Sequence, residues 1–290
     1  MEFLNYLISG ISLGSVYAII ALGYTMVYGI AKMLNFAHGD VIMVGGYISF
    51  CAMFYLGLPG WVATILAMIV CTVLGVVIEG LAYRPLREAG SLAVLITAIG
   101  VSYFLQNAAQ LIWTAAPKVY TPVISGNLNI GALSIPYVAL LTIAACVVIM
   151  VALTIFTSKS KLGKAMRACS EDKGAAQLMG INVNRTISLT FAIGSALAAI
   201  AGVLLCSSYT ALMPTTGSMP GIKAFTAAVF GGIGSIPGAF LGGILLGIIE
   251  SMAKAYISMS LSNSIVFAVL IIVLLVRPAG LLGKYVPEKV

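Results

Sequence analysis

The sequence predicts an all-α, polytopic membrane protein with eight to nine transmembrane helices, some of them broken or half-length. Three observations carry this. Of 290 residues, 61% are hydrophobic and only 8% charged, against about a quarter charged in a soluble domain. The mean hydropathy is +1.12. Apolar runs also recur along the whole chain, most near the roughly 20 residues that cross a hydrocarbon core, and they are continuous rather than alternating, which excludes a β-barrel.

The first run, 6–31, has no basic residue before it and is too long for the apolar core of a signal peptide, so it is read as a retained span. The polar stretch "KMLNFAHGD" (32–40) follows, holding the only histidine of the chain. Ions at a bilayer centre cost about 2.5–3.5 kcal/mol each on insertion scales, so 32–40 belongs at the membrane edge or in a protein-lined break. Further spans are expected at 40–57, 60–82, 91–113, 137–157 and 188–210. The last three are placed at 223–235, 237–257 and 264–282. The segment 223–235 is too short to cross alone and reads as a broken helix ending at "GGIGSIPG" (231–238), whose Gly and Pro free backbone groups that lipid cannot satisfy.

Two connections are long. Residues 114–136 are rich in Pro, Gly and Asn, and residues 158–186 hold six of the fifteen basic residues. Basic loops stay on the cytoplasmic side. Nine crossings then put twelve basic residues inside, leaving only Lys118, Lys223 and Lys254 outside. The N-terminus is external and the C-terminus cytoplasmic. The whole chain, 1–290, reads as one transmembrane domain with a cytoplasmic loop at 158–186. The stretches "GSVYAIIA" (14–21) and "GSALAAIA" (194–201) echo each other on helices of opposite direction, as inverted repeats would, although small residues are common in membrane helices anyway.

Several chemistries are excluded. There is no GxxxxGK[ST] loop, no HExxH pair and no GxSxG elbow. The five cysteines lack CxxC spacing and read as small packing residues rather than disulfide or metal ligands. No metal site and no nucleic-acid surface is expected. The pairs Gly10/Gly14, Gly238/Gly242 and Gly243/Gly247 are small-xxx-small patterns, read as tight intramolecular packing rather than a subunit interface. Asn35, His38, Gly39 and Asp40 form either a satisfied polar turn or part of a pathway lining. Glu79 is expected at the interface beside Arg84. Glu250 pairs with Lys254 one turn on, and is the better of the two acids for a site inside the protein.

The basic loop predicts two short helices broken around Ser170–Lys173. Its apolar residues Ala175, Ala176, Leu178, Met179 and Ile181 belong to no span. They fit a cytoplasmic docking helix seated in a groove of a partner, or an amphipathic helix on anionic lipid. Ala176 and Gly180 fall near one helical face, a smooth surface suited to close insertion.

"MLNFAHGD", "GKAMRACSEDKGAAQLMGIN", "GGIGSIPGA" and "RPAGLLG" resemble the branched-chain amino acid ABC importer permeases, most closely the shorter, LivH-like type, and the resemblance covers essentially the whole chain. It implies a fold similar to the type II ABC importer permeases and a bacterial inner-membrane complex. That complex would hold a second related permease, two cytoplasmic ABC ATPases, an extracytoplasmic substrate-binding protein and surrounding lipid. The chain itself would bind no cofactor and catalyse nothing, ATP being hydrolysed on the partners. "GAAQLMG" (174–180) resembles the coupling motif of ABC importers, with Gly174 where a Glu usually stands and without the usual hydrophobic-Pro ending. The implied coupling residues are Lys161, Gly163, Lys164, Arg167, Glu171, Asp172, Gly174, Ala175, Ala176 and Gly180. The helix-break and candidate pathway residues are Asn35, His38, Gly39 and Asp40, for which the resemblance implies a helix break, together with Gly231, Gly232, Pro237 and Glu250. An ion-coupled secondary transporter of a small neutral solute is the alternative. It would lean on intramembrane carboxylates, of which the chain offers little beyond Asp40 and Glu250.

Overall fold

The computed structural model describes residues 2–87, 89–130 and 133–283. Its helices are α1 (Glu2–Ala31), α2 (His38–Phe54), α3 (Gly60–Ile78), α4 (Ser91–Trp113), α5 (Tyr137–Lys159), α6 (Lys161–Glu171), α7 (Lys173–Leu178), α8 (Val183–Tyr209), α9 (Ser218–Gly231), α10 (Ile236–Tyr256) and α11 (Ser262–Val276). A π-helical turn (Glu79–Tyr83) and a 3-10 turn (Arg84–Leu86) prolong α3. Short strands β1 (Lys118–Val119), β2 (Asn127–Ile130), β3 (Leu133–Pro136) and β4 (Ala211–Leu212) occupy the connections. Among the described residues, six helices are long and apolar enough to cross a membrane, and α2 and α11 are shorter apolar helices.

The two central helices are α1 and α8, the spans with the largest buried share. Each packs against the second and third helices of the other's group: α1 against α9 and α10, α8 against α2 and α3. This crossed arrangement gives the echo between 14–21 and 194–201 a structural counterpart. Glycine makes the closest approach possible. A Cβ on Gly14 would lie 2.7 Å from the Ile244 carbonyl oxygen, and one on Gly10 would lie 3.0 Å from Ser251 Cβ. Gly243 and Gly247 face Ala18 and Gly14 in return, and Gly238 faces Gly231. These small-residue pairs therefore pack helices within the chain, as expected. The cysteines are free and four of them are buried.

Contacts between distant segments sort the helix ends into two sides. Lys173 Nζ donates to the Ala31 carbonyl at 3.0 Å, Arg87 donates to Asn184, and the Leu281 amide donates to the Phe230 carbonyl at 2.9 Å. The ends of α1, α3, α5 and α9 thus share one side with the start of α8. On the other side β1 pairs with β4 and β2 with β3. Lys32, Arg84, Arg87, Arg277 and the cations of 159–185 gather on the first side, the basic end. Lys284 and Lys289 lie outside the described residues.

Three boundaries differ from expectation by five residues or more. α8 starts at Val183, because the Asn182 side chain caps it by accepting from the Arg185 amide at 3.0 Å. α11 stops at Val276, where Arg277 precedes Pro278 and leaves helical geometry. α9 starts at Ser218 rather than at residue 223. Lys223 is not a surface residue marking a span edge but a buried side chain inside the helix.

Candidate functional site

α1 ends at Ala31, and Lys32 turns the chain in a left-handed conformation (φ +58°). The chain then doubles back. His38, which opens α2, lies against Gly23, where an added Cβ would stand 2.6 Å from His38 Nε2. Gly23 precedes the end of α1 by eight residues, so α2 begins about 12 Å inside that end at 1.5 Å per residue. Asn35, His38 and Asp40 are all buried here. The Tyr83 hydroxyl donates to Asn35 Oδ1 at 2.8 Å, and Gln106 Nε2 donates to Asp40 Oδ1 at 2.8 Å. The His38 ring packs on Tyr24 with centroids 4.6 Å apart, and among the described residues its Nε2 has no hydrogen-bond partner. No described hydrogen bond joins His38 to Asp40. Each polar residue of the break instead reaches a different neighbouring helix.

The start of α9 meets the start of α2. A Cβ on Gly39 would lie 2.8 Å from the Gly217 carbonyl oxygen, and Gln106 Nε2 also stands 3.3 Å from Ser218 Oγ. Two helix N-termini, each carrying partial positive charge, converge beside the Asp40 carboxylate. α9 ends at Gly231, and Gly232 (φ +104°) and Gly234 (φ +92°) turn the chain into α10. Ser235 caps α10 and Pro237 sits in its first turn, where a missing N–H costs nothing. The Leu281 and Leu282 amides satisfy the Phe230 and Gly231 carbonyls, each at 2.9 Å.

A buried charge cluster links α1, α9 and α10. Glu250, 1% exposed, accepts from Lys223 Nζ at 2.7 Å and Lys254 Nζ at 2.6 Å on one carboxylate oxygen. It accepts from the Tyr17 hydroxyl at 2.9 Å on the other. The expected Glu250–Lys254 pair is present, but Lys223 and Tyr17 were not foreseen. The only available signal was a lysine inside an apolar helix. Glu79 is buried as well, and its ion-pair partner is Arg87 rather than Arg84; Ser188 Oγ donates to it at 2.5 Å. Arg84 points outward, because the π turn shifts the register of the helix end. Toward the end away from the basic loops, a cavity of about 500 Å³ opens between α1, the β2–β3 connection and the end of α8. Asn5, Ser9, Ser12, Asn127, Ser207 and Tyr209 contribute its polar lining.

At the basic end, α6 and α7 form a helical pair that belongs to no span. Ser160 caps α6 by accepting from the Gly163 amide, and Asp172 caps α7 by accepting from the Gly174 and Ala175 amides. Gly163, Met166 and Cys169 face inward, leaving Lys161, Lys164, Arg167, Glu171, Gly174 and Ala175 exposed. Burial, with Arg87 nearby, holds the Lys173 ammonium below the ordinary lysine pKa. One expectation is corrected. Ala176 is 3% exposed and packs with Met26, Ile30, Met166 and Cys169, so it does not share an outward face with Gly180. Gly180 itself has φ +82° and lies past the end of α7. The most exposed apolar side chains of the pair are Leu178 (90% exposed) and Met179 (83%), with Leu162 on α6 exposed as well.

Residues 6–275 match the family described as branched-chain amino acid transport system / permease component. The chain is 47% identical over 302 residues to the high-affinity branched-chain amino acid transport system permease protein BraD of Pseudomonas aeruginosa, covering 100% of this chain and 98% of the relative. It is 46% identical over 303 residues to the corresponding permease protein LivH of Escherichia coli K12, with the same coverage. Among solved structures, PsaBC from Streptococcus pneumoniae in complex with Fab is similar in fold at a TM-score of 0.50 and 17% identity, over 96% of this chain and 93% of that one. The chain therefore belongs to the permease-component family of branched-chain amino acid transport systems.

Proposed function

We propose that this chain is one of two related membrane-spanning subunits that import branched-chain amino acids, driven by ATP hydrolysis on two cytoplasmic partner subunits. The observation that carries the substrate class is its full-length identity of 46–47% to permeases named for those amino acids. The coupling role rests on α6–α7, whose Leu178 and Met179 present apolar surface outside any span. The basic end is the cytoplasmic side by its charge, which puts the N-terminus outside. An extracytoplasmic binding protein delivers substrate there, and the complex sits in the bacterial inner membrane. This chain holds no ATP of its own.

The geometry supports a route for the drive. Lys173, at the start of α7, is bonded to the Ala31 carbonyl at the end of α1, one residue before the left-handed turn into the break. Displacement of α7 by a partner would pull directly on that break and on the α2–α9 junction above it. Against an ion-coupled mechanism, the buried acids among the described residues are all engaged: Asp40 accepts from Gln106, Glu79 pairs with Arg87 and Glu250 is held by two lysines. The test is uptake of leucine, isoleucine and valine by proteoliposomes holding this chain with its partners. Uptake should require both ATP and the binding protein; uptake that follows an ion gradient without the ATPases would overturn the proposal.

A further inference from the structure

A groove of about 460 Å³ lies between the basic end of α3 and the start of α8. Arg84 and Arg185 form its rim with Asn182, Asn184 and Ser188, and Val76, Leu189 and Ala192 form its apolar wall. Arg87, beside the groove, spends its charge on Glu79. Among the described residues, neither Arg84 nor Arg185 has a carboxylate within ion-pair distance. Exposed arginines are ordinary at this end of the protein. Here, however, two converge on one groove, and its apolar wall continues along α3 as the exposed residues Val76, Val73, Ile69 and Ile65. That stripe spans about 16 Å along the helix at 1.5 Å per residue, close to half of the roughly 30 Å hydrocarbon core.

We propose that this groove binds one anionic glycerophospholipid of the leaflet at the basic end, its phosphate held by Arg84 and Arg185 and one acyl chain laid along Val76 to Ile65. Guanidinium suits this role because its planar fork engages phosphate oxygens two at a time, and basic pockets between helices on this side of a membrane take lipid headgroups. Asn182 and Asn184, whose Oδ1 atoms accept from the Arg185 amide and from Arg87, keep their Nδ2 groups to donate to the remaining headgroup oxygens, while the Ser188 hydroxyl stays committed to Glu79. A soluble anion would have no use for the apolar stripe, and neither would an acidic partner surface confined to the aqueous side.

The test is native mass spectrometry of the full chain in neutral detergent, titrated with phosphatidylglycerol and with phosphatidylcholine of the same acyl chains. Phosphatidylglycerol should be retained preferentially. The Arg84→Gln/Arg185→Gln variant should bind it about thirtyfold more weakly, equivalent to about 2 kcal/mol. Ala192→Trp, which fills the apolar wall without touching charge, should weaken it as well. The control pair Lys159→Gln/Arg277→Gln, elsewhere on the basic end, should leave it unchanged. Equal losses in both charge pairs would reduce the effect to diffuse attraction, and equal retention of the two lipids would remove the headgroup site. Displacement by millimolar inorganic phosphate would assign the arginines to a soluble anion. Unchanged lipid binding in the double-Gln variant, with loss of a co-purifying ATPase, would assign the groove to a protein contact.

Discussion

Replacing Glu250 by Gln keeps the side-chain shape and an acceptor for Tyr17 while removing the only negative charge of the buried cluster. Lys223, whose side chain is 7% exposed, would then be an ammonium inside the protein without a counter-charge. Removing one partner of a buried ion pair costs about 3–5 kcal/mol, because the other charge stays desolvated. Lys254 behaves differently, since its side chain is 32% exposed and can be solvated. Lys254→Met leaves the Lys223–Glu250 pair intact and should cost no more than about 1 kcal/mol, the range of exposed pairs. The informative variant is the double replacement Lys223→Met/Glu250→Gln. With no charge left uncompensated indoors, it should recover most of the stability lost in Glu250→Gln alone, as apolar replacements of buried pairs commonly do. Unfolding of the detergent-purified protein, followed for the native form, Lys223→Met, Glu250→Gln and the double variant, closes a double-mutant cycle. The electrostatic account fails if Glu250→Gln stays within 1 kcal/mol of the native protein, or if the double variant is no more stable than Glu250→Gln. The second outcome would mean that shape, not charge, holds α9 against α1 and α10.

Three further outcomes follow from the same geometry. Gly247→Val places a branched side chain against the Gly14 backbone and should destabilise by at least the 1–3 kcal/mol typical of overpacking, read as loss of monodisperse protein on gel filtration. Leu178→Asp and Met179→Asp alter exposed side chains, so folding should change by less than about 0.5 kcal/mol while ATPase retention falls about thirtyfold or more. Ala176→Glu should instead unfold the α6–α7 element itself, and co-purification together with limited proteolysis separates the two cases. Asp40→Asn keeps an acceptor for Gln106 and should preserve uptake better than Asp40→Leu, which leaves the half-buried Gln106 amide only its longer 3.3 Å contacts to Ser102 and Ser218 and should cost about 1 kcal/mol; equal uptake in both variants would make that hydrogen bond dispensable.

What could be seen in the sequence was whatever is local along the chain. Helix breaks are local, because Gly and Pro change the backbone where they stand, so 32–40 and 231–238 were legible before any partner was known. Small-xxx-small spacing is local too, and it correctly indicated close helix packing, though not that Gly14 meets Gly247. The break within the basic loop was visible in "SEDK", with Asp172 supplying the caps. Side-chain direction was not visible at the same resolution. Ala176 and Gly180 share a face only if the helix continues, and it stops at Leu178.

The buried charges show where local reading ends. Tyr17 and Glu250 stand 233 residues apart in sequence, and Lys223 is 27 from Glu250. Hydropathy treats Lys223 as an interruption and so pushes it to the edge of a span. The fold instead keeps it indoors, because Glu250 on a neighbouring helix compensates its charge. A cation in an apolar helix is therefore ambiguous by itself: the same residue marks a membrane edge or an internal pair, depending on whether an acid arrives from elsewhere. Glu79 follows the same logic on a smaller scale. Arg84 and Arg87 are both near it in sequence, and only the π turn, which rotates the helix end, decides that Arg87 pairs inward while Arg84 is left facing the groove between α3 and α8.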